Sequence, residues 1–178
     1  RHRRQNAQPR IAVERGDDLQ QTFFDMADRT LSTDSVIIAT GATFAEIPSL
    51  PVDGEIVITS RQAIVKRDLP PRVVIVGGGA TGVEFAYIYN KYGVDVTVVE
   101  LLPRLVPMED EEISKELEKS LTKQGVKVLT ASKVEKVQID GKEALLTVSN
   151  SSSEVGIVCE NVLVAVGARG NVDGIGLE

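Results

Sequence analysis

The sequence predicts an α/β fold: a parallel sheet with helices that carries an inserted antiparallel three-stranded meander. Three observations lead there. A β-branched run, Val73 to Val76, passes directly into Gly77, Gly79 and Gly82 and then into an apolar, helix-forming stretch. A second β-branched run, Val94 to Val99, follows a turn at Gly93 and ends on the acid Glu100. From residue 134 the rhythm changes to short alternating segments divided by Asp140-Gly141 and Asn150-Ser-Ser-Ser153, the pattern of hairpins.

Composition narrows the classes. The chain has 178 residues, 42% of them hydrophobic, enough for one packed domain with appendages. A net charge of −6 argues against a nucleic-acid surface. No apolar run is long enough to span a bilayer or act as a secretory signal, so no membrane partner is expected and the cytoplasm is the expected compartment. Cys159 is the one cysteine, which excludes an internal disulfide, a cysteine cluster and a redox pair within the chain. The one histidine, His2, lies in an arginine-rich terminus, so neither a histidine relay nor a metal site is expected within the fold.

In chain order, residues 1 to 15 hold five arginines and read as a solvated end without fixed structure. Leu19 to Asp34 suits a strand or hairpin. Val36 to Gly41 is a short apolar run ending in glycine, the form of a strand buried on both faces. Ile47-Pro-Ser-Leu-Pro51 and Asp53-Gly54 read as an interdomain linker, followed by a short helix over Gln62 to Lys66 capped by Thr59 or Ser60. Pro103 and Pro107 mark a loop. Glu109 to Glu112 then opens a helix with Ile113, Leu117 and Leu121 on one face, its acids at the start and Lys119 and Lys123 near the end, as the helix dipole favours. The four acids are a solvated face, since consecutive side chains cannot all turn to one ion. Val126 to Leu129 is a third parallel strand, 134 to 158 the meander, and Asn161 to Gly167 a further apolar strand ending in glycine. Cys159 reads as a buried, inert thiol.

The glycine segment carries the chemistry. Gly77 lets the backbone turn where a Cβ would clash, Gly79 lets a pyrophosphate approach the main chain, and Gly82 lets the helix pack closely on the strands. The helix start offers N–H groups and partial positive charge to phosphates. Glu100, roughly 20 residues on, is placed to accept hydrogen bonds from an adenosine ribose. Strand, glycines, helix, strand and acid in that order make a Rossmann-like dinucleotide site. NAD is the expected cofactor: a 2′-phosphate beside Glu100 would set like charges together, and Arg104, the nearest following cation, is stiffened by Pro103.

These features resemble those of the pyridine nucleotide-disulfide oxidoreductases, two-dinucleotide-domain flavoproteins, and among them the branch that oxidises dihydrolipoamide. The likeness rests on Val36 to Gly41, Val74 to Glu84, Val98-Val-Glu100, Pro103 to Pro107, the acidic helix start and Val162 to Gly167. It implies that Gly77, Gly78, Gly79, Ala80, Thr81, Gly82, Val83 and Glu84 hold the pyrophosphate and approach the nicotinamide, that Glu100 holds the ribose, and that Val134 and Gly167 lie against the adenine and nicotinamide ends. It implies residues 1–45 as the tail of a preceding FAD-binding segment, 46–71 as linker and short helix, 72–168 as the NAD-binding domain and 169–178 as the return to the FAD domain. Family members carry the redox cysteines, a first FAD motif and a catalytic His-Glu pair in parts that this sequence does not contain. The implied role is therefore an NAD(H)-binding domain whose partners are FAD and dimerisation domains of a parent enzyme, inactive alone, with no catalytic residue of its own and FAD only in the parent. Two departures stand out: Ala80 replaces a tyrosine of many relatives, and Gly167-Ala-Arg-Gly-Asn171 replaces an expected Gly-Arg-Arg-Pro-Asn. The alternatives are the corresponding domain of an NADH oxidase, ferredoxin reductase or nitrite reductase, and a non-catalytic interaction domain.

Overall fold

A computed structural model describes residues 13–15, 22–26, 29–33 and 35–175. The chain divides into two compact units, Arg1–Thr43 with Arg169–Glu178, and Phe44–Ala168. In the first, β1 (Val13–Arg15), β2 (Thr22–Met26) and β3 (Arg29–Thr33) form an antiparallel sheet in that order. The hairpin expected between Leu19 and Asp34 is thus present, and Val13–Arg15, expected within a structureless end, adds a strand to it. The remainder of that arginine-rich end, residues 1–12, lies outside the described residues. One expectation fails: residues 36–41 form no strand, and Val36, Ile37 and Ile38 are exposed, Ile37 at 92%. The sequence form asks for neighbours on both faces, and among the described residues no strand pairs with it.

The rest of the chain follows as β4 (Ala42–Phe44), β5 (Val57–Thr59), α1 (Ser60–Val65), β6 (Arg72–Val76), α2 (Ala80–Lys91), β7 (Asp95–Val99), α3 (Glu111–Lys123), β8 (Lys127–Leu129), β9 (Lys133–Asp140), β10 (Glu143–Ser149), β11 (Glu154–Cys159), β12 (Asn161–Val164) and β13 (Ala168–Gly170). β4 pairs with β13 in a small sheet. The centre of the second unit is a five-stranded sheet, β5-β12-β6-β7-β8, parallel throughout. The four strands expected for it are β6, β7, β8 and β12. β5 was not expected.

Alternation sorts each strand's side chains between two cores. Val73, Ile75, Val96, Val98 and Leu163 pack against Ala86 and Tyr89 of α2 and Leu121 of α3. Val74, Val76, Val99, Val162 and Val164 face the other way, onto Ala144, Leu146, Val148 and Cys159 of the meander. The sheet is therefore a middle layer between helices and an antiparallel sheet of order β11-β10-β9. Burial on both faces explains why these strands read as unbroken valine and isoleucine runs, each such side chain contributing about 1.5–3 kcal/mol.

Two local readings change. The proline stretch, read as a linker, packs as a strap on the meander side: Leu50 is 1% exposed and Ser49 donates from Oγ to the Val134 carbonyl at 3.0 Å. Asp53 then accepts the N–H groups of Glu55, Ile56 and Val57 on one oxygen at 2.7–3.0 Å, turning the chain into β5. α1 follows directly, with Gln62 Oε1 accepting from both the N–H and the hydroxyl of Thr59. On α3, Leu117 and Leu121 face the core as expected, but Ile113 is exposed and Ser114 takes the buried place on the first turn.

Arg72, at the start of β6, ties the meander to the sheet. Its Nη2 donates to Glu160 at 2.5 Å and to Glu143 at 2.6 Å, while its backbone N–H donates to Glu160 at 2.9 Å. The hydrogen bond from the Arg72 guanidinium holds the Glu160 carboxyl below its usual range. A carboxyl so depressed contributes stability that is present above its ordinary value of 4.5 and is lost as pH falls below it toward the native value. Acid titrations of unfolding free energy should show that loss in the wild type and a shallower decline below pH 4.5 in Glu160→Gln; identical slopes would remove Glu160 from the account.

Candidate functional site

The turn between β6 and α2 is built by close contact. Gly77 has φ +109, and a Cβ there would stand 2.5 Å from the Ala165 carbonyl oxygen. A Cβ on Gly82 would collide with the Gly77 carbonyl oxygen, so the first turn of α2 lies directly on the end of β6. Gly79 is different. Its φ of −74 suits any residue, and nothing lies within 4 Å of a Cβ placed on it. The fold requires glycine at positions 77 and 82 and does not require it at 79.

The first helical hydrogen bond of α2 runs from the Val83 N–H to the Gly79 carbonyl, leaving the N–H groups before it ahead of the helical ladder. Beside them the 101–109 loop is fastened down: Val106 donates its N–H to the Gly78 carbonyl at 2.8 Å, and Leu105 is fully buried. Val106 does so at φ +39, a left-handed conformation that costs a β-branched residue on the order of 1–2 kcal/mol. Arg104 donates to the carbonyls of Pro107 and Glu109 at 3.0 and 3.3 Å, so its guanidinium is engaged by its own loop.

Glu100 stands at the end of β7, 8% exposed. It accepts the Gly78 N–H on Oε2 at 2.5 Å and the Leu102 N–H on Oε1 at 2.7 Å. A carboxylate offers about four acceptor positions, so roughly two remain. The chain after β8 is locked to the same place: Ala131, at φ +48, donates to the Leu102 carbonyl and Ser132 donates to the Glu100 carbonyl, both at 2.9 Å.

These segments enclose a cleft of about 610 Å³ at the carboxyl ends of β6, β7 and β12. That is where an open parallel sheet binds ligands. Of the residues singled out in the sequence, Gly77, Gly79, Ala80, Thr81, Glu100, Val134 and Gly167 line it together. Gly78 is buried behind the turn as a donor to Glu100, Gly82 is buried in the first turn of α2 against the Gly77 carbonyl, Val83 packs on the helical core, and Glu84 is exposed outside the lining. Sequence reasoning missed Ser49, Leu101, Leu102, Lys133 and Val166 among the lining residues. Lys133, next to Val134, carried no signal of spacing, and Ser49 sat in the supposed linker.

The family comparison bears on residues 4–178, which match the model of the pyridine nucleotide-disulphide oxidoreductases. The chain belongs to that family. It is 46% identical over 144 residues to a dihydrolipoyl dehydrogenase of Mycobacterium leprae, covering 81% of this chain and 31% of that protein. A dihydrolipoyl dehydrogenase of Bacillus subtilis is 39% identical over 170 residues, covering 94% of this chain and 34% of that protein. The chain spans about a third of the length of these relatives. Among solved structures, LpdA of Mycobacterium tuberculosis superposes with a TM-score of 0.77 at 28% identity, covering 95% of this chain and 38% of that one. The flavoprotein disulfide reductase RclA of Escherichia coli shares the fold, with a TM-score of 0.66 at 23% identity over 88% of this chain and 35% of that one. No helix among the described residues is long and apolar enough to cross a membrane.

Cys159 is fully buried and its thiol is pushed up to about 11 by burial, which makes it a packing residue in the meander core. The glycine contacts generate a contrast in stability. Gly82→Ala should lower the thermal midpoint by several degrees, the effect of about 2 kcal/mol or more, whereas Gly79→Ala should leave it nearly unchanged. Calorimetric melting of both variants checks this; equal losses would mean that Gly79 is also held by packing.

Proposed function

We propose that the chain supplies the NAD(H)-binding domain of a flavin-dependent disulfide oxidoreductase, and that the parent enzyme is of the dihydrolipoyl dehydrogenase kind, moving electrons between dihydrolipoamide, FAD and NAD. The observation that carries the reading is Gly79. A glycine with ordinary φ and open space around its missing Cβ, at the head of a helix and on the wall of a cleft, is explained by a ligand that needs the backbone bare. The residues present fit NAD: a backbone cradle at Gly79 to Thr81 for the pyrophosphate, a carboxylate with acceptor positions left for ribose hydroxyls, and Val134 and Gly167 at the walls. The identity to dihydrolipoyl dehydrogenases supports the same assignment.

On this reading the unit Phe44–Ala168 is the dinucleotide domain, and the flanking segments belong with the FAD domain of the parent. Bound nicotinamide supplies the hydride chemistry. The chain's own part is to bind, orient and select the nucleotide, and it has no turnover alone.

Glu100 gives the cofactor preference. A 2′-phosphate would add negative charge beside a carboxylate already fixed by two backbone donors, and Arg104 is engaged elsewhere. Calorimetric titration should show NADH bound about tenfold to a hundredfold more tightly than NADPH, roughly 1.4 to 3 kcal/mol. Gly79→Val should abolish binding with the circular dichroism retained. Equal affinity for the two nucleotides, or an unaffected Gly79→Val, would contradict the assignment. Glu100→Ala should shrink the preference by weakening NADH, and should also lower the thermal midpoint because Gly78 and Leu102 lose their acceptor.

A further inference from the structure

Among the described residues that line the cleft, Glu100 and Lys133 are the charged ones, and they arrive from different strands. The Ser132 N–H bonded to the Glu100 carbonyl brings Lys133, the next residue, to the ribose edge of the site. A lysine there would oppose Glu100: an ammonium at that edge is the counter-charge a 2′-phosphate needs. The structure shows it held instead. Lys133 Nζ donates to Glu135 Oε2 at 2.8 Å, and the other oxygen of Glu135 accepts from Ser149 Oγ at 2.6 Å.

This arrangement is built into the strand. Val134 pairs with Val148 and Lys136 with Thr147, so Glu135 has no partner of its own across the ladder: it is the extra residue of a β-bulge. The bulge shifts the alternation, with Val134 buried before it and Val137 packed inward after it. It leaves Glu135 beside Lys133 and within reach of Ser149. The hydrogen bonds from Lys133 and then Ser149 hold the Glu135 carboxyl below its usual range, so it is charged at neutral pH.

We propose that Glu135 is a positioning residue for cofactor specificity: by holding the Lys133 ammonium it withholds from a 2′-phosphate the one cation among the described residues that line the cleft, and so shares with Glu100 the selection of NAD(H) over NADP(H). This rests on the reading of the cleft as a dinucleotide site. Glu100 repels the phosphate directly; Glu135 acts through Lys133.

The test titrates NADH and NADPH into the full chain as wild type, Glu135→Gln, Lys133→Ala, the double variant and Ser149→Ala, at low and high salt. Glu135→Gln should tighten NADPH on the order of three- to tenfold, with NADH changed much less, and added salt should shrink the gain. The double variant should return to the wild-type ratio, because the released ammonium is gone. Ser149→Ala should shift the ratio the same way by less, which keeps the question answerable if Glu135→Gln folds poorly. An unchanged ratio in a folded, NADH-binding Glu135→Gln overturns this proposal alone, as does a gain that persists in the double variant. A wild type that binds neither nucleotide overturns the cleft assignment and this proposal with it.

Discussion

The contact on which the rest depends is the first turn of α2 lying against the end of β6, at Gly82 over the Gly77 carbonyl. Because no side chain separates them, the helix starts at the edge of the sheet, with its first N–H groups at the strands' carboxyl ends. The same closeness lets Gly77 reach Ala165 after β12, and lets Gly78 donate to Glu100 at the end of β7. Three strand ends are thereby gathered around one point. A bulkier residue at position 77 or 82 would part them and open the cleft from below.

The layers around that point divide the work. Helices cover one face of the sheet, and Ala86 and Tyr89 hold α2 in place against it. The meander covers the other and brings Val134 to the cleft, fixed by Ser49 from the strap and by the Ser132 bond to Glu100. Strain is accepted locally to achieve this: Val106 and Ala131 both take positive φ, and each lies in a segment hydrogen-bonded to the glycine turn or to residues 100–102.

Much of this was legible in the sequence. Strands buried on both faces leave continuous β-branched runs, so β6, β7 and β12 could be read directly, and the roles of Gly77 and Gly82 follow from the backbone that each lets approach. β5 was not legible because its three residues sit behind Pro51 and Gly54; a proline-rich strap anchored by Leu50 has the same composition as a linker. The apolar run at 36–38 has the composition of a buried strand, but Val36, Ile37 and Ile38 are exposed and form none, so composition alone misled there. Ile113 fell on the expected face but one turn too early for the core. Lys133 became a site residue only through a turn that joins β8 to β9, which no local pattern reveals.

On the proposed reading, the backbone from Gly79 to Thr81 is the phosphate cradle of a nucleotide cleft. Amide chemical shifts of the isotope-labelled chain, followed during addition of NADH, test it residue by residue. The expected result is saturable change concentrated at Gly79 to Gly82, Glu100, Ser132 to Val134 and Ala165 to Gly167. Saturable change confined to the opposite ends of the strands, around Arg72, Asp95 and Lys127, or no change at millimolar NADH, would contradict it.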